Sequence, residues 1–445
     1  MSISTESQPK SKSRTRATRN PKAKAESTVK TEPEAKVQPE AKVQPEAKVQ
    51  PEAKVQPEAK VQPEAKAGVA KFRVDRAAFA EAVTWTAKAL PSRPSVPVLA
   101  GMRLDLTATE LKLAAFDYDS SAEVSIAVES GDTSAFLVPG QLLAEIVRAL
   151  PDEHVDVSIE GAKVVLMCGD AVFTLLTLPV EDYPSLPVLP APSGRIDARV
   201  LCTAATQAAT ASGRDDNLPM LTGLRTEIRG DTVTLASTDR FRLAVRELTW
   251  TPEVQGFTAE LMVPARGFAA AAKSFADGEV EVSFTGLEEK YGGGMIGLAG
   301  GGRRMTMRLL DPQFPAFRKL MPAEFTAYAD VSTVALSEAV KRVALVAERN
   351  APVRLVFARG QVTIEAGSAD EAKGVERLPA AWDGEAFTIA FNHAFLLEAL
   401  GSVLAQTARI SVNGDTKPAV ITGLAENGEP MADYRHLLMP IRISS

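Results

Sequence analysis

The stretch Pro97-Val98-Leu99-Ala100-Gly101 (PVLAG) returns, with two substitutions, as Pro219-Met220-Leu221-Thr222-Gly223 (PMLTG), 122 residues further along the chain. The next feature, Phe116-Asp117, returns as Thr238-Asp239 with the same offset of 122. Self-similarity at a fixed offset is the signature of a duplicated structural unit. The sequence therefore predicts a body built from copies of one unit.

A second landmark extends the repeat. Val138-Pro139 precedes an apolar run at helical spacing that ends at Leu150, and the pattern returns as Val263-Pro264 before residues 268–275. A weaker third copy begins at Phe391-Asn392, before Phe395, Leu396, Leu400 and Val403. These positions predict three units of about 120 residues each.

Each unit has the same order of elements. A first helix is predicted over residues 76–90, 198–211 and 337–349, from apolar residues at helical spacing. Strands follow, then the second helix, then a closing pair of alternating strands such as 155–159 and 172–178. Because strands and helices do not alternate throughout, the fold class is α+β, with two helices packed on antiparallel sheets in each unit. Proline-rich linkers at 187–192 and 321–324 give domains 70–190, 191–323 and 324–445.

The first 69 residues differ from the body. From Pro33 the sequence PEAKVQ repeats five times and ends on PEAK at Lys66. A proline in every six residues excludes an α-helix, so we predict a disordered, extended tail. Residues 1–66 hold 14 Lys or Arg and 9 Asp or Glu, which leaves 36 basic and 47 acidic residues for the body. The tail is interpreted first as a solvated spacer; binding of nucleic acid or another acidic surface is the alternative.

Composition excludes several classes of function. The cysteines, Cys168 and Cys202, and the three histidines lie far apart, so no metal site, disulfide framework or nucleophile with its base is predicted, and both cysteines are interpreted as core residues. No apolar stretch approaches the roughly 20 residues of a membrane span. The basic N-terminus has no apolar segment, which excludes a secretory signal and leaves an organelle transit peptide as the alternative to a cytoplasmic location.

At this point the residues resemble a known family over about 70–445. The matching motifs, in chain order, are Arg93-Pro94 with Pro97-Val98-Leu99, Leu178-Pro179 with Asp182-Tyr183-Pro184, Thr238-Asp239 with Arg242-Leu243-Ala244, Phe314-Pro315 before Leu320 and Pro322, and Tyr434 with Leu438-Met439-Pro440-Ile441-Arg442-Ile443. Together they resemble the bacterial DNA polymerase III beta subunit, the DNA sliding clamp. Each motif is short, but their order and domain-sized spacing make the resemblance specific.

The resemblance implies a non-enzymatic protein without cofactors: a head-to-tail homodimer of three clamp domains per subunit that closes into a ring around duplex DNA. Such a ring would act as a processivity factor in DNA replication. Helices would line the hole, where basic side chains could face DNA while acidic ones cover the outside. Phe173 and Leu345 match dimer-interface positions, and an ordinary core role remains the alternative for both.

A ring that slides needs sparse contacts to phosphate, independent of base sequence. The family's DNA-contacting positions fall on Arg93, Gln141, Arg214, Asp215, Pro219 and Met220. Asp215 and Asp216 depart from the pattern, because they put negative charge where a polar or basic residue is expected. Further candidates for the hole, each with a solvated outer face as the alternative, are Lys88, Arg148, Arg199, Lys273 and Arg342.

The resemblance also implies a groove that binds short peptides of the polymerase catalytic subunit and the clamp loader. Apolar walls with a few polar groups suit an extended peptide. The family's groove positions fall on Leu221, Thr238, Arg240, Phe241, Arg242, Leu243, Pro315, Lys319, Leu320, Asn392, Phe395, Lys417, Ala419, Met439, Pro440, Ile441 and Arg442.

Other interpretations stay open. Phe241 stands where many relatives carry histidine, and the chain continues to Ser444-Ser445 after the usual last residue, so a specialised paralogue with altered partner or inhibitor affinity is one alternative. A repeat scaffold that does not bind DNA is another. The segment Gly292–Gly297 satisfies G-x-G-x-x-G by count, but its flanks are predicted strands, 279–284 and 304–309, which favours a long hairpin loop over a dinucleotide site.

Overall fold

The computed structural model describes residues 70–215, 217–275, 277–286, 293–348, 351–367 and 372–442. The PEAKVQ tail, the two C-terminal serines and Asp216 lie outside the described residues, as does Gly292 of the glycine-rich segment.

The described chain contains three repeats, and each repeat contributes nine strands in the same order. The first repeat consists of β1 (Ala70–Val74), α1 (Arg76–Thr86), β2 (Gly101–Leu106), β3 (Glu110–Phe116), β4 (Ser120–Ala127), β5 (Glu129–Ser130), β6 (Ser134–Pro139), α2 (Gly140–Ala149), β7 (Val155–Glu160), β8 (Lys163–Cys168) and β9 (Ala171–Leu176). The second consists of β10 (Gly194–Asp197), α3 (Ala198–Ala209), the single turn α4 (Pro219–Thr222), β11 (Gly223–Arg229), β12 (Thr232–Thr238), β13 (Arg242–Thr249), β14 (Thr251–Pro252), β15 (Thr258–Pro264), α5 (Ala265–Ala272), β16 (Glu279–Thr285), β17 (Met295–Gly300) and β18 (Arg303–Arg308). The third consists of β19 (Ala327–Ser332), α6 (Thr333–Val343), β20 (Pro352–Ala358), β21 (Gln361–Gly367), β22 (Lys373–Pro379), β23 (Ala381–Asp383), β24 (Phe387–Asn392), α7 (His393–Ser402), β25 (Thr407–Val412), β26 (Ala419–Gly423) and β27 (Tyr434–Leu438).

The first helix of every repeat begins at a side-chain cap. Asp75 accepts a hydrogen bond from the Ala78 amide, and Asp197 accepts two at the start of α3. Ser332 caps α6 in the same way, so this helix starts at Thr333, four residues before the predicted Ser337. A cap satisfies amides that the first turn leaves unpaired. The cap explains why the helix extends beyond its apolar pattern.

The strands form four antiparallel sheets, and two of the sheets cross from one repeat to the next. The fourth strand of the first repeat, β4, pairs with the ninth strand of the second, β18. The fourth strand of the second repeat, β13, pairs with the ninth strand of the third, β27. We call these two pairings the first and second seams. Both join neighbouring repeats by backbone hydrogen bonds, and both use the same two strand types.

A small residue faces a large one at the centre of each seam. Ala122 lies opposite Met305 in the first seam, and Ala244 lies opposite His436 in the second. All four residues are buried. Because the alanine leaves room on its strand, the larger partner fits between the sheet and the helices without overpacking.

The helices of each repeat pack in pairs, α1 on α2, α3 on α5 and α6 on α7, over sheets whose inner faces are apolar. The two inner strands β20 and β21 alternate buried and partly exposed residues along most of their length, as expected for a half-buried sheet. No helix among the described residues has the length and apolar composition of a membrane span.

The structure confirms the α+β class, the three repeated units and the pairs of helices on antiparallel sheets. Two smaller interpretations were wrong. Residues Met295–Gly297 belong to β17, which pairs with both β16 and β18, so they are not part of a long hairpin loop. Cys202 is only half-buried, whereas Cys168 is a buried core residue as predicted.

Candidate peptide groove at the second seam

The second seam is extended past its strands by two backbone hydrogen bonds. The Met439 amide donates to the Phe241 carbonyl at 2.8 Å, and the Ile441 amide donates to the Ala390 carbonyl at 2.8 Å. The first bond joins the third repeat to the second, and the second holds the C-terminal segment on β24. The residues that follow β27 are thereby fixed along the boundary between the two repeats.

A tight turn before β13 presents an aromatic side chain at this boundary. The Asp239 carboxylate accepts hydrogen bonds from the amides of Phe241 and Arg242, at 3.0 and 3.1 Å. Arg240, between them, has a φ of 80°, a left-handed conformation that a non-glycine residue adopts only where its surroundings fix it. The Phe241 side chain is 60% exposed and stacks on Phe395 of α7 with ring centroids 6.4 Å apart.

A buried arginine supports this aromatic pair from below. Arg242, 4% exposed, pairs with Asp239 Oδ2 at 2.8 Å and with the Glu398 carboxylate of α7. Its guanidinium carbon lies 4.3 Å from the centroid of the Phe395 ring, which adds a cation–π contact. Because a buried charge must be paired, the two carboxylates fix the arginine, and the arginine fixes the position of Phe395.

These residues surround a cavity of about 390 Å³. Its lining consists of Ser212, Gly213, Arg214, Asp215, Leu218, Leu221, Asp239, Arg240, Phe241, Arg242, Ala394, Phe395 and Glu398. Six of these residues are charged, but most of the surface that they leave open to the cavity is apolar, as in many sites for a peptide or small molecule. The cavity can hold one or two apolar side chains of a ligand.

The opposite face of the same seam carries a separate apolar cluster. Leu243 of β13, Leu437 of β27 and Val420 of β26 enclose Phe317, which belongs to the connecting segment 309–326 between β18 and β19. Phe314 and Met321 of that segment pack against the cluster. Together the cavity and the cluster place apolar surface on both faces of the strands that end at Phe241 and Met439.

The structure brings many of the predicted groove residues together. Leu221, Arg240, Phe241, Arg242 and Phe395 line the one cavity. Met439 and Ile441 are tied to the seam by backbone bonds, and Asn392 caps α7 just before Phe395. Pro315, Lys319 and Leu320 lie on the connecting segment, on either side of Phe317 and Arg318.

The predicted groove residues differ in burial, and they form a buried and an exposed group. Five of its members are buried, namely Leu221, Thr238, Arg242, Leu243 and Ala419. The Thr238 hydroxyl, for example, donates to the Arg242 carbonyl at 2.7 Å and so serves the turn. The partly or fully exposed members are Arg240, Phe241, Pro315, Lys319, Leu320, Asn392, Phe395, Lys417, Met439, Pro440, Ile441 and Arg442.

Sequence reasoning missed several residues of this region. Leu218, Asp239 and Glu398 line the cavity, and Phe317, Val420 and Leu437 form the cluster behind it. The alternation of β27, with Tyr434, His436 and Leu438 on the other face, could have indicated Leu437. Nothing local indicates Glu398, because its partner Arg242 is 156 positions away in the chain.

The candidate DNA contacts are all exposed, but they do not form one cluster. Arg93 lies in the loop before β2, and Gln141 lies in the first turn of α2. Arg214 and Asp215 instead line the cavity at the second seam. Arg214 pairs with Glu398 at 3.4 Å, and the Asp215 carboxylate accepts from the Asn217 amide at 3.0 Å. Pro219 and Met220 begin α4 and are exposed.

The five further basic candidates divide into two groups. Arg199 is paired with Asp277 at 2.5 Å, and Arg342 is paired with Glu376 at 2.6 Å. Lys88, Arg148 and Lys273 are exposed and take part in no ion pair among the described residues. Partial burial, and then the neighbouring Arg303, lower the pKa of Lys88.

The first seam has the same backbone turn as the second, but different side chains occupy it. Asp117 caps the amides of Asp119 and Ser120, and Tyr118 has a φ of 72°. The Arg308 amide donates to the Asp119 carbonyl at 2.7 Å, as Met439 does to Phe241. However, Asp119 and Ser120 stand in the places of Phe241 and Arg242. Gly267 and Ala270 stand in the places of Phe395 and Glu398, because they lie three and six residues after Pro264, the residue before α5, as the other two do after Asn392, the residue before α7.

A larger cavity, of about 1210 Å³, lies at the first seam, and its lining combines charged strand residues with apolar residues of the linker, such as Leu186, Val188 and Leu189. Its charges pair with one another, as Arg103 does with Asp105 and Lys112 with Glu123. These pairs leave a ligand few unpaired charges, and none of the residues that line this cavity is aromatic, whereas Phe241 and Phe395 line the cavity at the second seam. The second seam is therefore the better candidate for peptide binding.

Comparison with known proteins finds one family that matches all three repeats. Models of the DNA polymerase III beta subunit match residues 70–187 (N-terminal domain), 195–316 (central domain) and 318–442 (C-terminal domain). The beta sliding clamp of Streptomyces coelicolor is 47% identical over 84% of this chain and 100% of its own length. The beta sliding clamp homolog GriR of Streptomyces muensis is 38% identical over 84% of this chain and 99% of its own length. The sliding clamp of Pseudomonas aeruginosa, solved with bound griselimycin, shares the fold with a TM-score of 0.74 at 24% identity, over 84% of this chain and 100% of that one.

Because the turn occurs twice, the contribution of the buried Arg242–Asp239 ion pair to the free energy of unfolding can be measured. Asp239→Ala removes two amide caps and one counterion of buried Arg242, so we expect a loss of about 3 kcal/mol in unfolding free energy. Asp117→Ala removes the same kind of caps where no arginine is buried, and should cost only about 1 kcal/mol. Urea denaturation of both variants checks this. Equal losses would contradict the role given to the ion pair.

Proposed function

The chain belongs to the family of DNA polymerase III beta subunits, the beta sliding clamps, and from that membership we propose that it is a sliding clamp that encircles duplex DNA. It tethers the replicative polymerase and other clamp-binding proteins and so gives processivity in replication. Members of the family are processivity subunits without catalytic activity. We keep the domain boundaries at residues 190/191 and 323/324 as part of the proposal.

The observation that carries this proposal is the pairing of strand types at the seams. Both seams join the fourth strand of one repeat to the ninth strand of the next. The fourth strand of the third repeat, β22, and the ninth strand of the first, β9, each have only one neighbour among the described strands. An exposed strand edge favours pairing with another chain. A second copy, placed head to tail, would supply the missing neighbour at both ends and close a ring.

The register of the seams supports this dimer. The hairpin pair Thr232↔Thr249 corresponds to Gln361↔Pro379, which makes Gly374 the equivalent of Ala244. The hairpin pair Gly300↔Arg303 corresponds to Cys168↔Ala171, which makes Phe173 the equivalent of Met305. The new seam would again place a small residue opposite a large one. Phe173 is 37% exposed and would lie opposite Gly374, where the missing side chain lets Val346 approach the strand next to the exposed Leu345.

The DNA contacts we propose are sparse and directed at phosphate. Helices of adjacent repeats meet at the seams, where Gln207 of α3 donates to the Ser402 carbonyl of α7 at 2.7 Å. With these helices facing the hole, the candidates for contact are Arg93, Gln141 and three basic residues that pair with no described carboxylate, Lys88, Arg148 and Lys273. Arg199 and Arg342 contribute less, because carboxylates already neutralise them.

The peptide partners would bind at the second seam. Phe241 and Phe395 form the exposed aromatic wall, and Met439, 39% exposed, can adapt its conformation to different ligands. An aromatic residue in a partly desolvated pocket is a typical hot spot for binding. We propose that the polymerase catalytic subunit and the clamp loader insert short extended peptides here.

One observation favours a second candidate function, that of a specialised paralogue. Phe241 adds an exposed ring to the groove wall at a position where many relatives carry histidine. The similarity to a clamp homolog, GriR, is compatible with this alternative, although the Streptomyces coelicolor clamp is more similar. A change at residue 241 would then alter the affinity for partners or inhibitors while the ring is unchanged.

Topological retention on DNA tests the clamp function. The protein, loaded on nicked circular plasmid by the clamp loader, should stay bound in high salt and dissociate when the plasmid is linearised. A closed ring is held by topology rather than by ion pairs, so salt should have little effect on the circle. Equal retention on circles and linear DNA at every salt concentration would favour the scaffold alternative.

Cross-linking tests the proposed dimer register. Val172 and Val375, both exposed, should face each other across the subunits, with Cα atoms about 5.5 Å apart, a separation that a disulfide can bridge. Val172→Cys with Val375→Cys, in a Cys202→Ser background, should therefore give a covalent dimer on oxidation. The control, Val172→Cys with Arg377→Cys, is displaced by two residues and should not. A product in the control alone would show that the register is wrong.

Substitution of the aromatic wall tests the groove. Phe241→Ala should weaken a polymerase-derived clamp-binding peptide by about 2 kcal/mol, or roughly 30-fold, because the hot spot loses its ring. Tyr118→Ala, which removes an exposed ring from the equivalent turn of the first seam, is the matched control and should bind normally. Calorimetric titration gives the affinities. If Phe241→His changes inhibitor affinity more than peptide affinity, the paralogue alternative gains support.

A further inference from the structure

The connecting segment 309–326 carries three of the proposed groove residues, Pro315, Lys319 and Leu320, and all three are exposed. An exposed segment outside the sheets can form one wall of a binding site only if something holds it in place. Two neighbouring residues, Phe317 and Arg318, attach it to the outer face of the second repeat.

Phe317 is the apolar anchor. It is 4% exposed and packs among Leu243, Val245, Val420 and Leu437 on the outer face of the second seam. Leu243 is itself a proposed groove residue. Phe314 and Met321 pack against the same cluster, so apolar contacts hold the segment on both sides of the short 3₁₀ turn Phe317–Lys319.

Arg318 is the polar anchor, and its partner is a nearly buried carboxylate. The Arg318 guanidinium lies 4.7 Å from the centroid of the Phe317 ring, and its Nη1 is 2.6 Å from Oε2 of Glu227 on β11. The Glu227 side chain is only 7% exposed, while that of Arg318 is 55% exposed. The burial of the carboxylate makes this ion pair less screened by solvent than an ordinary surface pair.

Glu227 is the common partner of three arginines. Besides Arg318 it pairs with Arg225 at 3.4 Å and with Arg229 at 3.9 Å. Arg225 also donates to the Pro312 carbonyl at 3.3 Å, which ties the beginning of the connecting segment to the same strand. Glu227 therefore contacts both arginines that attach the segment, although it shares Arg225 with Glu260.

We infer that Glu227 is a positioning residue of the peptide groove: through Arg318 it holds the connecting segment so that Lys319 and Leu320 form the outer wall. Glu227 does not line the cavity on the other face. It acts on a peptide only through the segment. The inference rests on the proposed peptide-binding function, and it predicts that a residue without ligand contact controls affinity.

Two substitutions isolate the ion pair. Glu227→Gln keeps the size of the side chain and removes its charge, and Arg318→Met keeps an apolar stem over Phe317 and removes the guanidinium. Each should weaken a polymerase-derived peptide by roughly five- to tenfold, within the range of coupling energies between contacting residues. The double variant should be no weaker than either single one, because the two side chains act as a unit.

The chain offers a matched control. Glu260 of β15 also pairs with Arg225 and Arg229, but it makes no contact with Arg318. Glu260→Gln removes a carboxylate from the same cluster, and it should leave the peptide affinity within twofold of the unsubstituted protein. Because this side chain is 55% exposed, its loss should also have little effect on folding.

A second double-mutant cycle, of Glu227→Gln with Leu320→Ala, separates a positioning role from a general loss of stability. If Glu227 acts through the wall, Glu227→Gln should lose most of its effect on peptide affinity in a Leu320→Ala background. A merely structural role would give losses that add. Calorimetric titration gives the affinities, and thermal denaturation checks that the variants are folded; should Glu227→Gln fail to fold, the Arg318→Met and Leu320→Ala cycle gives the same answer.

The outcomes are distinct. If the unsubstituted protein does not bind the peptide, the proposed function fails and this inference fails with it. If the protein binds but Glu227→Gln and Arg318→Met bind equally well, or if their losses add, only the positioning role is overturned. Non-additive losses with an unchanged Glu260→Gln variant support it.

Discussion

Antiparallel backbone pairing between repeats is the interaction on which the rest of this structure depends. Each seam joins a fourth strand to a ninth strand, so the sheets continue from one repeat into the next. Unpaired strand edges expose amides and carbonyls that must find partners. Pairing them removes this cost, sets the repeats in a fixed register, and brings side chains from distant parts of the chain to one boundary. The candidate groove exists only because β13 and β27 meet.

The second seam also shows how the chain manages buried polar groups. Arg242 has two carboxylate partners, and Tyr434 and His436 share a hydrogen bond of 2.8 Å. Burial lowers the pKa of His436 to about 3, with Arg242 contributing in the same direction, so this histidine stays neutral at physiological pH. His436 therefore does not change its charge near neutral pH. The polar groups of the seam fix the geometry of the boundary between the repeats instead.

Much of the fold could be predicted from sequence because its signals are local. The apolar periodicity and the short motifs each lie within a few tens of residues, and their recurrence at an offset of 122 reveals the repeat. The helix start at Thr333 was missed because its signal is a serine cap rather than an apolar residue. Glu398 and Glu227 were also missed, since an acidic side chain has no distinguishing pattern in sequence. Their importance comes from Arg242 and Arg318, which are close only after folding.

The equivalent turns at Tyr118 and Arg240 show how a protein built of repeats can evolve new binding sites. Both turns keep the left-handed residue and the aspartate cap, yet the first carries the ring pair of Tyr118 and Phe116, whereas the second places the ring of Phe241 on Phe395 beside Arg242. The same backbone is thus retained at the first seam, where Asp119 and Gly267 stand in place of the two stacked rings. Substitutions there would leave the candidate groove at the second seam undisturbed. Triplication gives the chain spare copies on which new binding specificities can evolve.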